Sequence, residues 1–403
     1  MSSDIATRLI QHPYEAPDTF RAPQPGVFKA STVIFPNVAA MRGTRWDDRS
    51  GYSYGLHGTP TSYVLEQRLC ELEGGRQCLL VTSGLAAIAV VDSALLVPGD
   101  EVLLPDNAYA PGAVFATAEL SRRGVSTGWY DPMDAEDLRR RIGPKTRLVW
   151  MEAPGSITME FPDLIGLVRV CRAAGVTCAL DNTWGSGLAF APFDLLPGSG
   201  ESLGVDISVH ALTKYPSGGA DVLMGSIMTR DPVLGKRLLE CHQHYGFGVG
   251  MNDVELVLRS LPSIALRYRA HDAAARALAS WCATQPAFAQ VLHPALDGAP
   301  GHAHWRQLCR PDAGGAAGLF SVMVDPRFSS QQVDAFCDAL RLFKLGYSWG
   351  GPVSLVVPYN LGAMRPKWPA QVKSGTIVRF SIGLEDEADL RADIAQALAA
   401  TLR

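Results

Sequence analysis

From Thr61 onward, apolar positions recur in two rhythms, one helical and one extended. Leu65, Leu69 and Leu72 fall at helical spacing, and Gly74-Gly75 stop that helix. CLLV (78–81) reads as a strand, the Ala-rich 85–97 as a helix ended by Pro98-Gly99, and EVLL (101–104) as a second strand. The stretch from Ala110 to Arg123 is expected to be helical and to end at Gly124. RLVWME (147–152), a helix from Asp163 to Ala174, VTCALD (176–181), VDISVH (205–210) and VLMGSIM (222–228) continue the alternation. Short, nearly continuous apolar strands separated by helices predict a mostly parallel sheet covered on both faces. Ligands of such sheets sit at the carboxyl ends of the strands.

A long helical stretch from about Asp253 to Thr284 then leads into a different order. LFSVMV (319–324), a helix near 330–342, SLVV (354–357), TIVRFSI (376–382) and a terminal helix from Asp386 predict a smaller α+β unit. Residues 1–60 are rich in Pro, Gly, Arg and aromatics with little periodicity, as in a packed arm or a partner-contacting segment. The expected division is an arm (1–60), a large unit (61–255) and a smaller one (256–403).

Composition narrows the class. The chain has 403 residues, 36 Lys+Arg against 40 Asp+Glu, and 47% hydrophobic residues. A net charge of −4 lacks the basic excess of a nucleic-acid binder, and the high hydrophobicity argues against disorder. No apolar run reaches the ~20 residues that cross a bilayer. The opening MSSDIATRLIQHPYEAP, with its early Asp, does not read as a secretory signal. Eight cysteines spread thinly along the chain read as reduced thiols. A soluble, cytoplasmic enzyme is expected.

Three predicted strand ends carry reactive groups. VTCALD delivers Asp181; VDISVH runs on to Thr213 and Lys214; CLLV runs into Thr82-Ser83-Gly84-Leu85 at the start of the Ala-rich helix. Taken singly, an Asp closing a strand is a common turn or cap, a Lys after a strand a common loop residue, and a Ser-Gly turn a common helix start. Together they match one cofactor. A helix N-terminus favours a phosphate, a carboxylate meets a ring nitrogen, and a lysine forms a Schiff base, as pyridoxal phosphate requires. Tyr109, just past EVLLP, is placed to stack on such a ring.

The segments YGLHGTPT (54–61), LEGG (72–75), PDNAYAPG (105–112), EAPGSITMEFPD (152–163), LDNTWGSG (180–187), TKYPSGGAD (213–221), YSWGG (347–351) and IVRFSIGLED (377–386) resemble the Cys/Met-metabolism family of pyridoxal-phosphate enzymes. PGSITME, YSWGG, GHAHWRQL (301–308) and GLFSV (318–322) are similar to its cystathionine β-lyase branch. The resemblance implies a fold-type I, aspartate-aminotransferase-like architecture with a PLP-binding domain at 61–255. It implies Lys214 as the Schiff-base lysine, Asp181 as partner of the pyridinium nitrogen, and Tyr109 as the stacked ring and a participant in proton transfer. Gly84, Leu85 and Thr213 would hold the phosphate, and Tyr54 would reach the phosphate of the neighbouring subunit. Arg379 would grip the substrate α-carboxylate through its planar fork, with Ser348 and Trp349 lining the substrate side. The implied reaction is α,β-elimination of L-cystathionine to homocysteine, pyruvate and ammonia in a homotetramer. The alternatives are a broad cysteine-S-conjugate β-lyase and a γ-lyase or sulfhydrylase.

Two positions depart from the family pattern. Leu56 stands where an arginine is usual, and Ala211 where a phosphate-binding serine is usual; His57, Arg45 or Arg49 could substitute. The segment after YSWGG, Pro352-Val353-Ser354, also lacks an expected acid. Cys241-His242-Gln243-His244 lacks the further ligands of a metal set, and Gly246, Gly248 and Gly250 have no preceding strand, unlike a dinucleotide fingerprint. His302 and His304 are expected in a loop, and Cys70 and Cys78 as core thiols beside a helix.

Overall fold

The computed structural model describes residues 4–11, 19, 22–45, 51–309, 315–365 and 367–403. Among these, seven strands form the larger sheet: β1 (Gln77–Val81), β2 (Glu101–Pro105), β3 (Ser126–Tyr130), β4 (Thr146–Glu152), β5 (Thr177–Asp181), β6 (Ile207–Ala211) and β7 (Gly225–Thr229). Their order is β1-β7-β6-β5-β4-β2-β3. Only β7 runs against its neighbours β1 and β6; the other pairs are parallel. Helices cover both faces, so every strand except the edge strand β3 buries most of its residues and reads as an apolar run. This is the mixed α/β, fold-type I architecture expected.

Local chemistry explains the elements next to the site. The helix Pro60–Glu73 opens with a capping box between Thr59 and Ser62 and stops at Gly74, which takes φ +80°. The helix Gly84–Leu95 is capped by Ser83, whose hydroxyl accepts from the Ala86 amide at 3.0 Å. Pro262 sits in a tight 3-10 turn, Leu261–Ser263, which divides the expected 253–284 helix into Met251–Ser260 and Ile264–Cys282.

The smaller sheet follows, with strands β8 (Phe288–Leu292), β9 (Leu319–Val324), β10 (Lys344–Leu345), β11 (Leu355–Tyr359) and β12 (Thr376–Ser381) in the order β10-β11-β12-β9-β8. It packs against Ser330–Ala339, Glu387–Thr401 and the C-terminal half of Ile264–Cys282. Leu319, Met323 and Ile377 join the core of the larger sheet, so apolar packing is continuous between the two.

Several expectations shift. The Ala110–Arg123 stretch is a short helix, Ala110–Val114, followed by a wider π turn, Phe115–Leu120. β3, β8 and the helices Ala135–Arg141 and Pro232–Tyr245 were not expected. His302 and His304 lie in a helix, His302–Leu308, not a loop; Gly301 at φ +80° lets the chain turn into it. Cys70 lies within the helix Pro60–Glu73 and is half-buried, while Cys78 on β1 is buried. No helix among the described residues is long and apolar enough to cross a membrane.

Candidate active site

Because β1, β2, β4, β5 and β6 run parallel, their carboxyl ends share one edge, and β7 brings its amino end to it. After β1 the chain turns through Ser83 into the helix Gly84–Leu95. Ser83 occupies the Ala86 amide, and the first-turn amides of Gly84 and Leu85 have no helical acceptor. Gly84 lies over the end of β6: a Cβ on it would fall 2.7 Å from the Ala211 Cβ. A Cβ on Gly225 would fall 2.4 Å from the Ser83 carbonyl. Only glycines admit this approach of three backbones, and the result is a cradle with N–H donors at a helix N-terminus. Thr213 lies beside it, its hydroxyl 3.2 Å from the Met224 carbonyl.

Asp181 ends β5. Its Oδ1 accepts from the Thr183 amide at 3.0 Å and from the Thr183 hydroxyl at 2.5 Å. Among the described residues Oδ2 has no hydrogen-bond partner. Thr183 is fixed in turn by the Ala211 amide, which donates to its hydroxyl at 2.9 Å. Burial pushes the Asp181 carboxyl up, while the Thr183 bonds and the nearby His210 and Lys214 pull it back.

Lys214 follows β6 by three residues. Its Nζ donates to Ser348 Oγ at 2.7 Å and lies 5.3 Å from the centre of the Trp349 ring. Burial, then the charge of Arg379, lowers the ammonium to about 8, with Asp181 opposing. The YSWGG loop reaches Lys214 because Gly350, at φ +79°, packs on the Tyr215 backbone, where a Cβ would meet the Tyr215 nitrogen at 2.9 Å.

Arg379 on β12 is 7% exposed. Its guanidinium lies 5.4 Å from the centre of the Tyr359 ring and, among the described residues, makes no ion pair or hydrogen bond. A buried guanidinium without a carboxylate is suited to an incoming anion. Tyr109 begins the helix Ala110–Val114, and its amide donates to Glu152 at the end of β4. Glu152 is the register partner of Asp181, and burial plus the Asp181 charge raises its carboxyl well above the usual range. Burial, then Asp181 and Glu152, also raises the Tyr109 phenol.

The structure therefore gathers Lys214, Asp181, Tyr109, Gly84, Leu85, Thr213, Ser348, Trp349 and Arg379 around one edge. It does not bring Tyr54 to them within the chain. Tyr54 is 48% exposed on the arm, bridged to Thr32 and set edge-on to His57. Leu56 packs on Gly248, where a Cβ would meet its Cδ1 at 2.8 Å. The His57 carbonyl accepts from Tyr63, Arg45 lines a separate surface cavity beside Tyr63, and Arg49 lies outside the described residues. No cluster of three or more His, Cys, Asp or Glu placed for a metal occurs among the described residues. Glu152 and Thr183 escaped the sequence reading. Their signals were a carboxylate at a strand end and a hydroxyl two residues beyond Asp181.

The family described as Cys/Met metabolism PLP-dependent enzyme matches residues 6–399. The chain is 34% identical to the cystathionine β-lyase MetC of Escherichia coli (strain K12), over 97% of each chain. It is 31% identical to the L-methionine γ-lyase of Pseudomonas putida, over 98% of each. Among solved structures it is similar to a cystathionine γ-synthase from Xanthomonas oryzae pv. oryzae in complex with cystathionine. That match has a TM-score of 0.87 and 26% identity, and it covers 100% of this chain and 99% of that one.

Proposed function

The chain belongs to the Cys/Met-metabolism family of pyridoxal-phosphate-dependent enzymes, and from that premise we propose that it is a carbon–sulfur β-lyase acting on L-cystathionine. The products are homocysteine, pyruvate and ammonia. Pyridoxal phosphate suits the residues present: a glycine cradle of N–H donors, a carboxylate with one oxygen left open, and a half-buried lysine amine. When bound, it supplies an electron-accepting ring.

The observation that carries the reading is that Lys214, just past β6, donates to Ser348 of the YSWGG loop at 2.7 Å, with Asp181 and Arg379 both near enough to act on its charge. Arg379 binds the substrate carboxylate, so Cα lies over the lysine. With its amine lowered to about 8, Lys214 has a usable neutral fraction near pH 7 and takes the Cα proton. Asp181 holds a proton on the ring nitrogen. Ser348 and Trp349 orient the lysine and exclude water from the side where the thiolate departs, and Lys214 or Tyr109 protonates that sulfur. Gly84, Leu85 and Thr213 bind the phosphate. Tyr54 completes the same site in a neighbouring subunit, within a cytoplasmic homotetramer whose arm (1–60) makes that contact. The PLP-binding domain spans 61–255 and the C-terminal domain 256–403.

The choice of β-elimination is supported by the β-lyase relatives and by PGSITME and YSWGG. The γ-lyase and γ-synthase likenesses favour a second reading, cleavage on the γ side. Mass spectrometry of the products from L-cystathionine separates them. Pyruvate with homocysteine supports the proposal, and cysteine with 2-oxobutyrate replaces it with γ-elimination.

A further inference from the structure

The motif LEGG (72–75) has no part in the site as described. Its Glu73 closes the helix Pro60–Glu73 with 1% of its surface exposed. Glu73 Oε1 pairs with Nδ1 of His210 at 2.9 Å. Oε2 accepts from Ser208 Oγ at 2.6 Å and from Asn182 Nδ2 at 3.0 Å. The other ring nitrogen of His210, Nε2, lies 3.3 Å from Ser186 Oγ, and that hydroxyl donates to the Thr183 carbonyl at 2.9 Å. Thr183 then grips Asp181 through its amide and its hydroxyl. A continuous chain of hydrogen bonds thus runs from Glu73 to the carboxylate at the end of β5. His210, Ser186, Ser208 and Asn182 are each 1% exposed or less.

The protons in this chain can be counted. A serine hydroxyl has one proton to give. At Ser186 it goes to the Thr183 carbonyl, the shorter contact, so the contact with Nε2 needs a proton on that nitrogen. The Nδ1–Oε1 contact carries one proton as well, and because Oε2 already accepts from Ser208 and Asn182, the pattern of a carboxylate, that proton is placed on Nδ1. We propose that His210 is a doubly protonated imidazolium anchored by Glu73, and that this buried pair is a positioning device that keeps Asp181 ionised and aligned on the cofactor's ring nitrogen. His210 is fully buried and acts on Asp181 through Ser186 and Thr183.

The groups facing these residues are few. Asp181 faces His210 and Lys214, against Glu152 and Tyr109 on its other side. Glu73 faces His210 and the buried thiol of Cys78 on β1. Removing the imidazolium charge strengthens Asp181 as a base, so the shared proton moves from the ring nitrogen to the carboxylate. The ring then loses its positive charge, and the pH at which the lysine-bound cofactor changes its visible absorption rises.

The inference rests on the cofactor and not on β-elimination, so its test needs no substrate. The visible band of the holoenzyme is titrated with pH in Glu73→Gln, which keeps shape and removes charge, and in His210→Gln. The midpoint is expected to move up by about one unit, and the cofactor dissociation constant to rise about tenfold. Ser186→Ala, which cuts the chain but leaves the pair, should shift it the same way by less. Folded variants that lose thermal stability but keep the parental midpoint and affinity would overturn the proposal. Should neither charge variant fold, 15N NMR of histidine-labelled parental holoenzyme decides: two protonated nitrogens on His210 between pH 6 and 9 support it, and one overturns it. A parent with a normal band but no cystathionine turnover would remove the β-lyase reading alone.

Discussion

Lys214 donates its Nζ hydrogen to Ser348 Oγ at 2.7 Å, and Ser348 makes that contact from a backbone φ of +104°. A serine in this region carries strain of about 1–3 kcal/mol. Glycine relieves the strain but removes the hydroxyl. Ser348→Gly is therefore expected to raise the stability of the folded protein by about 1 kcal/mol while lowering turnover about tenfold. Ser348→Ala should lose the same rate with no gain in stability. Thermal denaturation beside steady-state rates checks both, and a glycine variant less stable than the alanine variant would remove the strain argument.

The lysine itself has a stability signature. Its ammonium is lowered to about 8 in the folded chain, against 10.5 unfolded. Below pH 8 it is charged in both states, and folding bears the full penalty, roughly 3 kcal/mol. Between 8 and 10.5 the unfolded chain binds the proton that the folded chain has released, so stability rises with pH. Lys214→Met in cofactor-free protein should thus stabilise by up to about 3 kcal/mol at pH 7, and the gain should fade toward pH 10.5. Denaturant unfolding at the two pH values measures it; an equal effect at both would contradict the burial of this charge. Turnover should be absent throughout.

How far the site could be read from the chain follows from these positions. Asp181, Lys214 and Gly84 sit at the ends of strands buried on both faces, whose apolar runs are plain in the sequence. Direction is another matter: VLMGSIM and VDISVH look alike, yet β7 runs antiparallel, and pairing alone decides that. β3 (STGWY) lies at the sheet edge with one buried residue and gives no apolar run. The helix Pro232–Tyr245 carried a visible signal in Asp231-Pro232, a cap followed by proline at its first position. Glu73 and His210 were illegible for a different reason. They are 137 residues apart, and only the fold brings them to 2.9 Å.

The cradle proposed for the phosphate depends on contact between two small residues. Gly84→Ala would place a Cβ 2.7 Å from that of Ala211, closer than real Cβ atoms come. The first turn must lift away from β6, carrying the Gly84 and Leu85 amides with it. Cofactor affinity is expected to fall at least tenfold, about 1.4 kcal/mol or more. Adding Ala211→Gly removes the clash and should restore most of that loss. Equilibrium titration with pyridoxal phosphate reads both, and a double variant as weak as the single one would locate the phosphate elsewhere.

Arg365 links the β11–β12 connection to the larger sheet. Its Nη1 reaches Glu160 Oε1 at 2.5 Å and Thr158 Oγ1 at 3.3 Å, and its Nη2 holds Asp106, three residues before Tyr109. The arginine and Glu160 are buried and Asp106 is partly so, and removing the guanidinium strands the Glu160 carboxylate away from water and leaves that of Asp106 unpaired. Arg365→Met is expected to cost about 3–5 kcal/mol. Adding Glu160→Gln should recover part of that, because an amide leaves less charge to desolvate. The loss should also shrink on acidification. Burial already raises the Asp106 carboxyl with Arg365 present, and without it the folded chain takes up that proton more readily than the unfolded one. Unfolding measured at pH 8 and pH 5 should therefore show the variant closing on the parent at the lower value. A constant gap would contradict this, showing that Asp106 stays charged without its partner.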